Sequence, residues 1–375
     1  MTDVIVIGGG IAGCATAFYL AADGVDVTLL EQNELSSLAS GVNAGSLHAQ
    51  IQTDPFAELG ESWAREFSPA LSFYAESIAL WQQAESVLGA DLEVVQGGGL
   101  LVAANDKEMR LIEAKMRVER AAGLEMELLD SNDLRRMAPC MSEHLVGAAY
   151  CPIEGKANPL VAGPAFAAAA ESLGAKILQG CEVLDIRPGK AGYQIETSKG
   201  QFQTSRLVNA AGTAAGRIAA MVGAEIEVQS FPLQLSVTEP IAPLIGHLVY
   251  SAGEMLTLKQ TKSGMVLIGG GWPAMLDKHN RTQVTRKSLF GNLRVALEVV
   301  PGLASVSIVR TWVGQVNGNK SWRPLIGEMP GLPGFFINYV PWMGFTGGPA
   351  GGRIIASLVQ SREPPVGFDV SFFEP

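Results

Sequence analysis

Four cysteines in 375 residues (Cys14, Cys140, Cys151 and Cys181), none in a CxxC pair, rule out a disulfide framework and an iron–sulfur cluster built by this chain alone. The four histidines, His48, His144, His247 and His279, are as scattered, and neither set has zinc spacing, so no metal site is expected. Charge is scarce at 17%, and Lys and Arg (27) fall short of Asp and Glu (37), for a net charge of −10. A protein so poor in positive charge is not expected to bind nucleic acid or an anionic membrane surface. A long unbroken apolar run is also missing. Residues 4–22 and 329–352 carry no charge, but Gly8, Gly9, Gly10 and Gly13 interrupt the first, and four prolines and seven glycines interrupt the second. A lipid-facing helix must satisfy its backbone hydrogen bonds internally, which such residues prevent. No basic segment precedes the first run, so a signal peptide is not expected either. These absences together predict a cytoplasmic protein without a membrane span.

Apolar residues, in contrast, make up 47% of the chain, and its length exceeds a single ordinary core, so two domains sharing one ligand are expected. The 43 glycines suggest tight turns and close approaches of backbone to a ligand. Thr2–Ile7 is a β-branched run without alternation, the pattern of a strand buried on both faces. GGGIAG follows at 8–13, then an alanine-rich helix to about Ala22, a stop at Gly24, and a second strand over Val25–Leu30 ending at Glu31. This is a βαβ unit with a dinucleotide fingerprint. Gly8 permits the turn, Gly10 lets backbone approach a pyrophosphate, and Gly13 lets helix and strand pack closely. Glu31, 18 residues after Gly13, stands where a carboxylate accepts from ribose hydroxyls, which favours FAD or NAD over NADP.

No second fingerprint occurs, because GGG at 97–99 and at 269–271 lacks the following helix pattern. One dinucleotide is therefore expected. A helical block over 55–90 and 106–122 carries the stripe Leu71, Tyr74, Ile78 and Trp81, read as core. A helix over 160–173 precedes strands at 175–179 and 182–186, a hairpin around 198–200, and a strand over 206–209 that returns to the first sheet. Alternating runs within 226–239 and 255–270 predict antiparallel strands. Near the C-terminus, Phe335–Tyr339 reads as a strand, PWMGFTGGPAGG at 341–352 as a glycine-rich turn, and about 353–360 as a helix. Such a turn serves equally as a cap or as a site for developing negative charge.

DVIVIGGGIAG at 3–13, Glu31, SGVNAGSLHA at 40–49, LVNAAG at 207–212, WVG at 312–314, RPLIG at 323–327 and GFTGGPAGG at 344–352 occur in an order that resembles the D-amino acid oxidase superfamily of FAD enzymes. Its members include glycine oxidase, sarcosine oxidase and the β-type subunits of opine, hydroxyproline and proline dehydrogenases. The resemblance implies an α/β fold in which a Rossmann-like, discontinuous FAD-binding domain (1–85, 145–220 and 322–375) carries an α+β substrate domain with an antiparallel sheet (86–144 and 221–321). It implies that Gly8, Gly10, Ile11, Ala12 and Gly13 face the pyrophosphate, and Glu31 and Gln32 the adenosine ribose. Ser40, Asn43, Ala44, Gly45 and Ser46 would lie beside the ribityl chain and the flavin ring, and Val183 beside adenine. Gly212 would stand near the pyrophosphate, and Val340, Met343, Gly344, Phe345 and Thr346 would border the ring.

The departures are informative. The resemblance places an Arg in the segment 312–327 of relatives that oxidise simple amino acids, and a second in the C-terminal turn. Here Val316 and Trp342 occupy those positions, and neither can clamp a carboxylate. No Cys lies near Trp312–Gln315, so noncovalent FAD is expected. Lys259, Lys320, Arg323 and Arg310 are candidate replacement cations, each also readable as a surface residue, and the LKQT run at 258–261 resembles the β-type chains of opine and hydroxyproline dehydrogenases. Trp312, Trp322 and Trp342 suit a larger or more apolar substrate. Candidate substrate contacts are Ser46, His48, Lys259, Trp312 and Trp342, with His48 equally readable as structural. The resemblance thus implies oxidation of the C–N bond of a secondary amine or N-substituted amino acid. Hydride passes to flavin N5, water then hydrolyses the imine, and partner subunits carry a second flavin or an iron–sulfur centre. A free-standing oxidase using O2 and a flavin-bearing subunit without turnover are the alternatives.

Overall fold

The computed structural model describes residues 2–189, 192–279 and 281–375. The apolar run Thr2–Ile7 lies at the centre of an eight-stranded sheet, where only residues free of polar demands can sit. The order across this sheet is Leu325–Glu328, Phe335–Tyr339, Gly200–Asn209, Thr2–Ile7, Val27–Leu30, Lys176–Leu178. Val4 pairs in parallel with Arg206 on one side and with Val27 on the other. Gly192–Thr197 pairs antiparallel with Gly200–Asn209, and Val183–Gly189 pairs antiparallel with Gly192–Thr197 in turn. The helix Ile11–Ala22 covers one face and ends before Gly24, whose φ of +78° is of the kind glycine adopts without strain.

A second eight-stranded sheet runs in the order Ile308–Gly318, Gln229–Thr238, Val266–Gly269, Thr257–Gln260, Leu248–Ser251, Gly99–Ala103, Gly147–Cys151, Glu127–Asp130. All neighbours are antiparallel except Leu248–Ser251 and Gly99–Ala103. Gly147–Cys151, grouped by the sequence with the first-sheet segments, instead pairs with Gly99–Ala103 in the second sheet. The fold is the expected α/β architecture with a largely antiparallel second sheet. Among the described residues no helix is long and apolar enough to cross a membrane.

The stripe Leu71, Tyr74, Ile78 and Trp81 belongs to the helix Pro69–Leu88 and is buried throughout. Each such side chain contributes roughly 1.5–3 kcal/mol of burial. One expectation is corrected. The segment 344–352 is no turn, because helix begins at Gly344 and continues to Val359. At Gly348 and Gly352 the helix Ile11–Ala22 leaves no room for side chains. A Cβ on Gly352 would stand 2.7 Å from Thr16 N, and one on Gly348 would stand 2.8 Å from Ile11 Cγ1. Close packing overrides the low helix propensity of glycine.

Candidate cofactor and substrate cleft

The loop after Thr2–Ile7 turns at Gly8, where φ is +111° and a Cβ would meet Ala210 O at 2.5 Å. That contact brings the end of Gly200–Asn209 against the fingerprint. Gly13 serves packing, since a Cβ there would reach Gly8 O at 1.9 Å. The first intrahelical bond runs from Cys14 N to Gly10 O, and Ser40 Oγ accepts from Ile11 N at 3.0 Å. Among the described residues the amides of Gly10, Ala12 and Gly13 find no protein acceptor, so the helix start offers free donors and its positive end. The Glu31 carboxylate accepts from Gly9 N (2.6 Å) and Asn33 N (2.7 Å), one bond per oxygen. Each oxygen keeps a lone pair for a ribose hydroxyl. Burial and then the Glu31 charge push the Cys14 thiol up to about 12, so it stays protonated.

From this start a cleft of about 670 Å³ runs between the two sheets. Of the residues singled out from the sequence, Gly8, Gly10, Ile11, Ala12, Glu31, Gln32, Ser40, Asn43, Ala44, Ser46, His48, Val183, Gly212, Val340, Trp342, Met343, Gly344, Phe345 and Thr346 line it. Gly13, Gly45, Lys259 and Trp312 do not. Gly45 shapes the wall from behind: φ is +75° and a Cβ would strike Ala157 O at 2.1 Å. Trp312 instead donates its indole N–H to Val42 O at 2.8 Å. Lys320 is exposed and lies 3.6 Å from Glu227. Arg323 reaches Phe372 O, and neither residue borders the cleft.

Lys259 is the opposite case. It is 1% exposed, and its ammonium donates to the Ser46 hydroxyl, which does line the cleft. Burial, followed by the charge of Lys156, lowers its pKa to about 7. His48 is held from two sides. Thr346 Oγ1 accepts from His48 N at 3.0 Å and donates to Ser46 O at 3.2 Å. The imidazole Nδ1 meets the Tyr250 hydroxyl at 2.5 Å. Burial, then Lys259, lower the His48 pKa to about 3, so the ring stays neutral. Thr346 is itself fixed through its carbonyl, which accepts from Ser77 Oγ (2.6 Å) and Trp81 Nε1 (3.0 Å).

The far end of the cleft is aromatic. Trp322 and Trp342 stack at 4.6 Å with an interplanar angle of 16°, and Phe231 lies 4.5 Å from Trp342. Both tryptophans adopt left-handed backbone (φ 64° and 59°), a strained conformation for so bulky a residue. The strain at Trp342 is held by two bonds, from its backbone N–H to Asn317 O at 2.8 Å and from its indole to Asn319 O at 3.3 Å. Among the described lining residues Arg217 is the single lysine or arginine, and it lies beside Glu182 and Val183 rather than at the aromatic end.

Sequence reasoning missed Tyr250, Glu154, Gln50, Lys115 and Glu119, which form a buried polar cluster beneath His48. Nothing local marks them. Lys115 and Glu119, four residues apart on the helix Asp106–Ala121, have the spacing of an ordinary exposed ion pair.

A helix start with free amides, a glycine turn flush against the neighbouring strand end and a carboxylate with spare lone pairs fit a dinucleotide. The comparisons agree. The family model for FAD dependent oxidoreductases (DAO) matches residues 3–358. The chain is similar to glycine oxidase of Geobacillus kaustophilus, 26% identical over 99% of this chain and 96% of the relative. It is also similar to the beta chain of the sarcosine oxidase of Rhizobium meliloti, 28% identical over 96% and 85%. An opine oxidase chain of Rhizobium meliloti, itself one subunit of that enzyme, is 23% identical over 89% and 87%. The crystal structure of the Geobacillus glycine oxidase superposes with a TM-score of 0.88 over 100% of this chain and 98% of that one. The chain therefore belongs to the DAO family of FAD-dependent oxidoreductases, and FAD is its cofactor.

Proposed function

We propose that this oxidoreductase oxidises the C–N bond of a secondary amine or N-substituted amino acid of opine, hydroxyproline or proline type, as the β-type subunit of a heteromeric dehydrogenase. The observation that carries the reading is the end wall of the cleft: Phe231, Trp322 and Trp342 stand there, with no guanidinium among them. Such a wall favours a substrate with a bulky apolar portion and disfavours glycine, which offers little beyond its carboxylate.

FAD, when bound, supplies the two-electron acceptor. The amides of Gly10 and Ala12 would hold its phosphates, Glu31 its ribose, and the Val340–Thr346 stretch would border its ring. The chain's own residues orient the amine and exclude water. Because Lys259 donates to Ser46 Oγ, the Ser46 proton is free to point into the cleft and bind a carboxylate oxygen. Lys259 adds positive charge behind it that grows as pH falls through about 7. His48, neutral and fixed by Tyr250 and Thr346, faces the amine. Water hydrolyses the imine product. The same reading divides the chain into a cofactor domain (1–85, 145–220 and 322–375) and a substrate domain (86–144 and 221–321), with sheet pairing carrying Gly147–Cys151 from the former into the latter.

Anaerobic bleaching of the visible flavin band with sarcosine, proline, hydroxyproline, octopine and nopaline tests the activity. Bleaching by a bulky or cyclic member, with sarcosine slow, is expected. A flavin that none of them reduces overturns the reading. The subunit role rests on relatives named as subunits, and copurification of further chains with a tagged copy from its own cells checks it. A single-chain oxidase is the second reading, favoured by the match to nearly the full length of glycine oxidase. Oxygen consumption by the isolated chain separates the two.

A further inference from the structure

One stretch of the chain runs against its overall charge. Between Glu254 and Glu298 stand seven Lys and Arg and a single acid, Asp277, in a protein of net charge −10. Lys259 is buried, and Lys262 and Arg294 pair with acids. The other four, Lys278, Arg281, Arg286 and Lys287, are exposed around the short hairpin of Met275–Leu276 with Thr282–Gln283 and the start of the helix Arg286–Val299. Arg281 pairs with Asp277 at 2.8 Å. Among the described residues Lys278, Arg286 and Lys287 have no carboxylate partner. Beside them Met275 (56%), Leu276, Val284 and Phe290 (58%) are exposed apolar side chains.

Hairpin and helix make one surface. Thr285, the helix N-cap, donates its N–H to Gln234 Oε1 at 3.0 Å, and Gln234 N donates to the Trp272 carbonyl at 2.9 Å. A Cβ on Gly291 would stand 2.4 Å from Trp272 Cζ3, so the helix is seated on the base of the hairpin. Arg286 and Phe290, one turn apart, are both exposed, with the guanidinium 5.6 Å from the ring centroid. Gln234, Gly270, Gly271 and Pro273 line the cleft, so the surface adjoins it. Arg286 and Lys287 also occupy the first turn of their helix, which holds no acid. Cations at this positive end of the helix dipole cost stability, so folding does not account for them. A local rule broken without structural gain is the mark of a functional surface.

We propose that this basic and apolar surface docks an acidic face of a partner subunit beside the cleft. This rests on the subunit reading above. Met, Phe and Arg are side chains that protein interfaces concentrate, and the patch lacks the exposed Trp and Tyr that anchor a lipid surface. An anionic bilayer would extend past the patch and meet the rest of a chain of net charge −10, whereas an acidic face on a partner need be no wider than the patch. Opposite charge steers the encounter, and the four apolar side chains supply area to remove from water.

The test uses a tagged copy of the full chain, purified from its own cells with the chains that accompany it. A carbodiimide joins an amine to a carboxylate without a spacer. It should link Lys278 or Lys287 to an Asp or Glu of one accompanying chain, located by peptide mass spectrometry. Arg286→Glu combined with Lys287→Glu should retain about tenfold less of that chain, or lower still. Its thermal midpoint should equal or exceed that of the wild type, because acids suit the first turn. Phe290→Ser, which leaves the charge alone, should also retain less. Links that avoid Lys278 and Lys287, or equal retention by the charge-reversed variant, overturn the proposal and leave the subunit reading standing. Links to a second copy of this chain overturn it, as does binding of the wild type but not the variant to phosphatidylglycerol vesicles. If no chain accompanies the wild type, the subunit reading fails and the docking surface with it.

Discussion

Lys259 brings an ammonium to a position 1% exposed, with Ser46 as its hydrogen-bond partner and a second lysine as its neighbour. Its pKa falls from 10.5 unfolded to about 7 folded, so the sign of its effect on stability is fixed. Below about pH 7 both states are protonated and the full burial penalty is present. Between about 7 and 10.5 only the unfolded chain keeps the proton, so stability rises with pH across that window, and above it the penalty is gone. Lys259→Met should therefore stabilise the protein at pH 7 by on the order of 2–4 kcal/mol, with the gain shrinking towards pH 10. Denaturant unfolding at several pH values checks this. A variant no more stable than wild type at pH 7 would show that Ser46 and the site compensate the charge in full.

At the scale of elements, two glycine contacts govern how helices meet the cleft. A Cβ on Gly13 would collide with Gly8 O at 1.9 Å, and neither atom belongs to a flexible side chain. Gly13→Ala should push the helix start away from the strand and weaken FAD binding by about tenfold or more, a loss of about 1.4 kcal/mol or more. Fluorescence titration of apoprotein with FAD measures it, and an unchanged dissociation constant sinks the packing argument. Gly352→Ala drives a methyl into the backbone of Ala15 and Thr16 and should cost roughly 1–3 kcal/mol of stability, read by denaturant unfolding. Full stability in this variant would mean that the helices can separate without penalty.

These elements also show how far the sequence could be read. Thr2–Ile7, Ile11–Ala22 and Val27–Leu30 were legible because period, cap and motif agree within thirty residues. The helical state of 344–352 was hidden, since only contact with Ile11–Ala22 and Phe73 makes glycine acceptable there. Gly8, Gly10 and Glu31, which line the cleft, stood out by spacing, whereas the residues along the rest of it came only with the family resemblance. The polar cluster beneath His48 was not legible: Gln50, Lys115, Glu119 and Glu154 are far apart in the chain apart from the Lys115–Glu119 pair, and tertiary contact, not local pattern, unites them.

At the scale of the molecule, the cleft lies between two sheets built from interleaved stretches of the chain, so a ligand filling it ties both together. Apoprotein should gain stability from FAD by mass action, about 2.7 kcal/mol at a hundredfold excess over the dissociation constant. Thermal unfolding with increasing FAD should show a rising midpoint and a single transition. A midpoint indifferent to FAD would mean that the cleft does not couple the halves.

The central strand has a further consequence for biosynthesis. Val4 pairs at once with Val27, but its other neighbour contains Arg206, and the strand beyond that contains Phe335. At roughly 5–20 residues per second, on the order of ten to forty seconds separates the first strand leaving the ribosome from its second partner. Throughout that interval the nascent chain displays an apolar strand edge and a glycine loop with no opposing wall. Cofactor capture is thus the last event of the chain's manufacture, and chaperone protection is needed most before the cofactor can help.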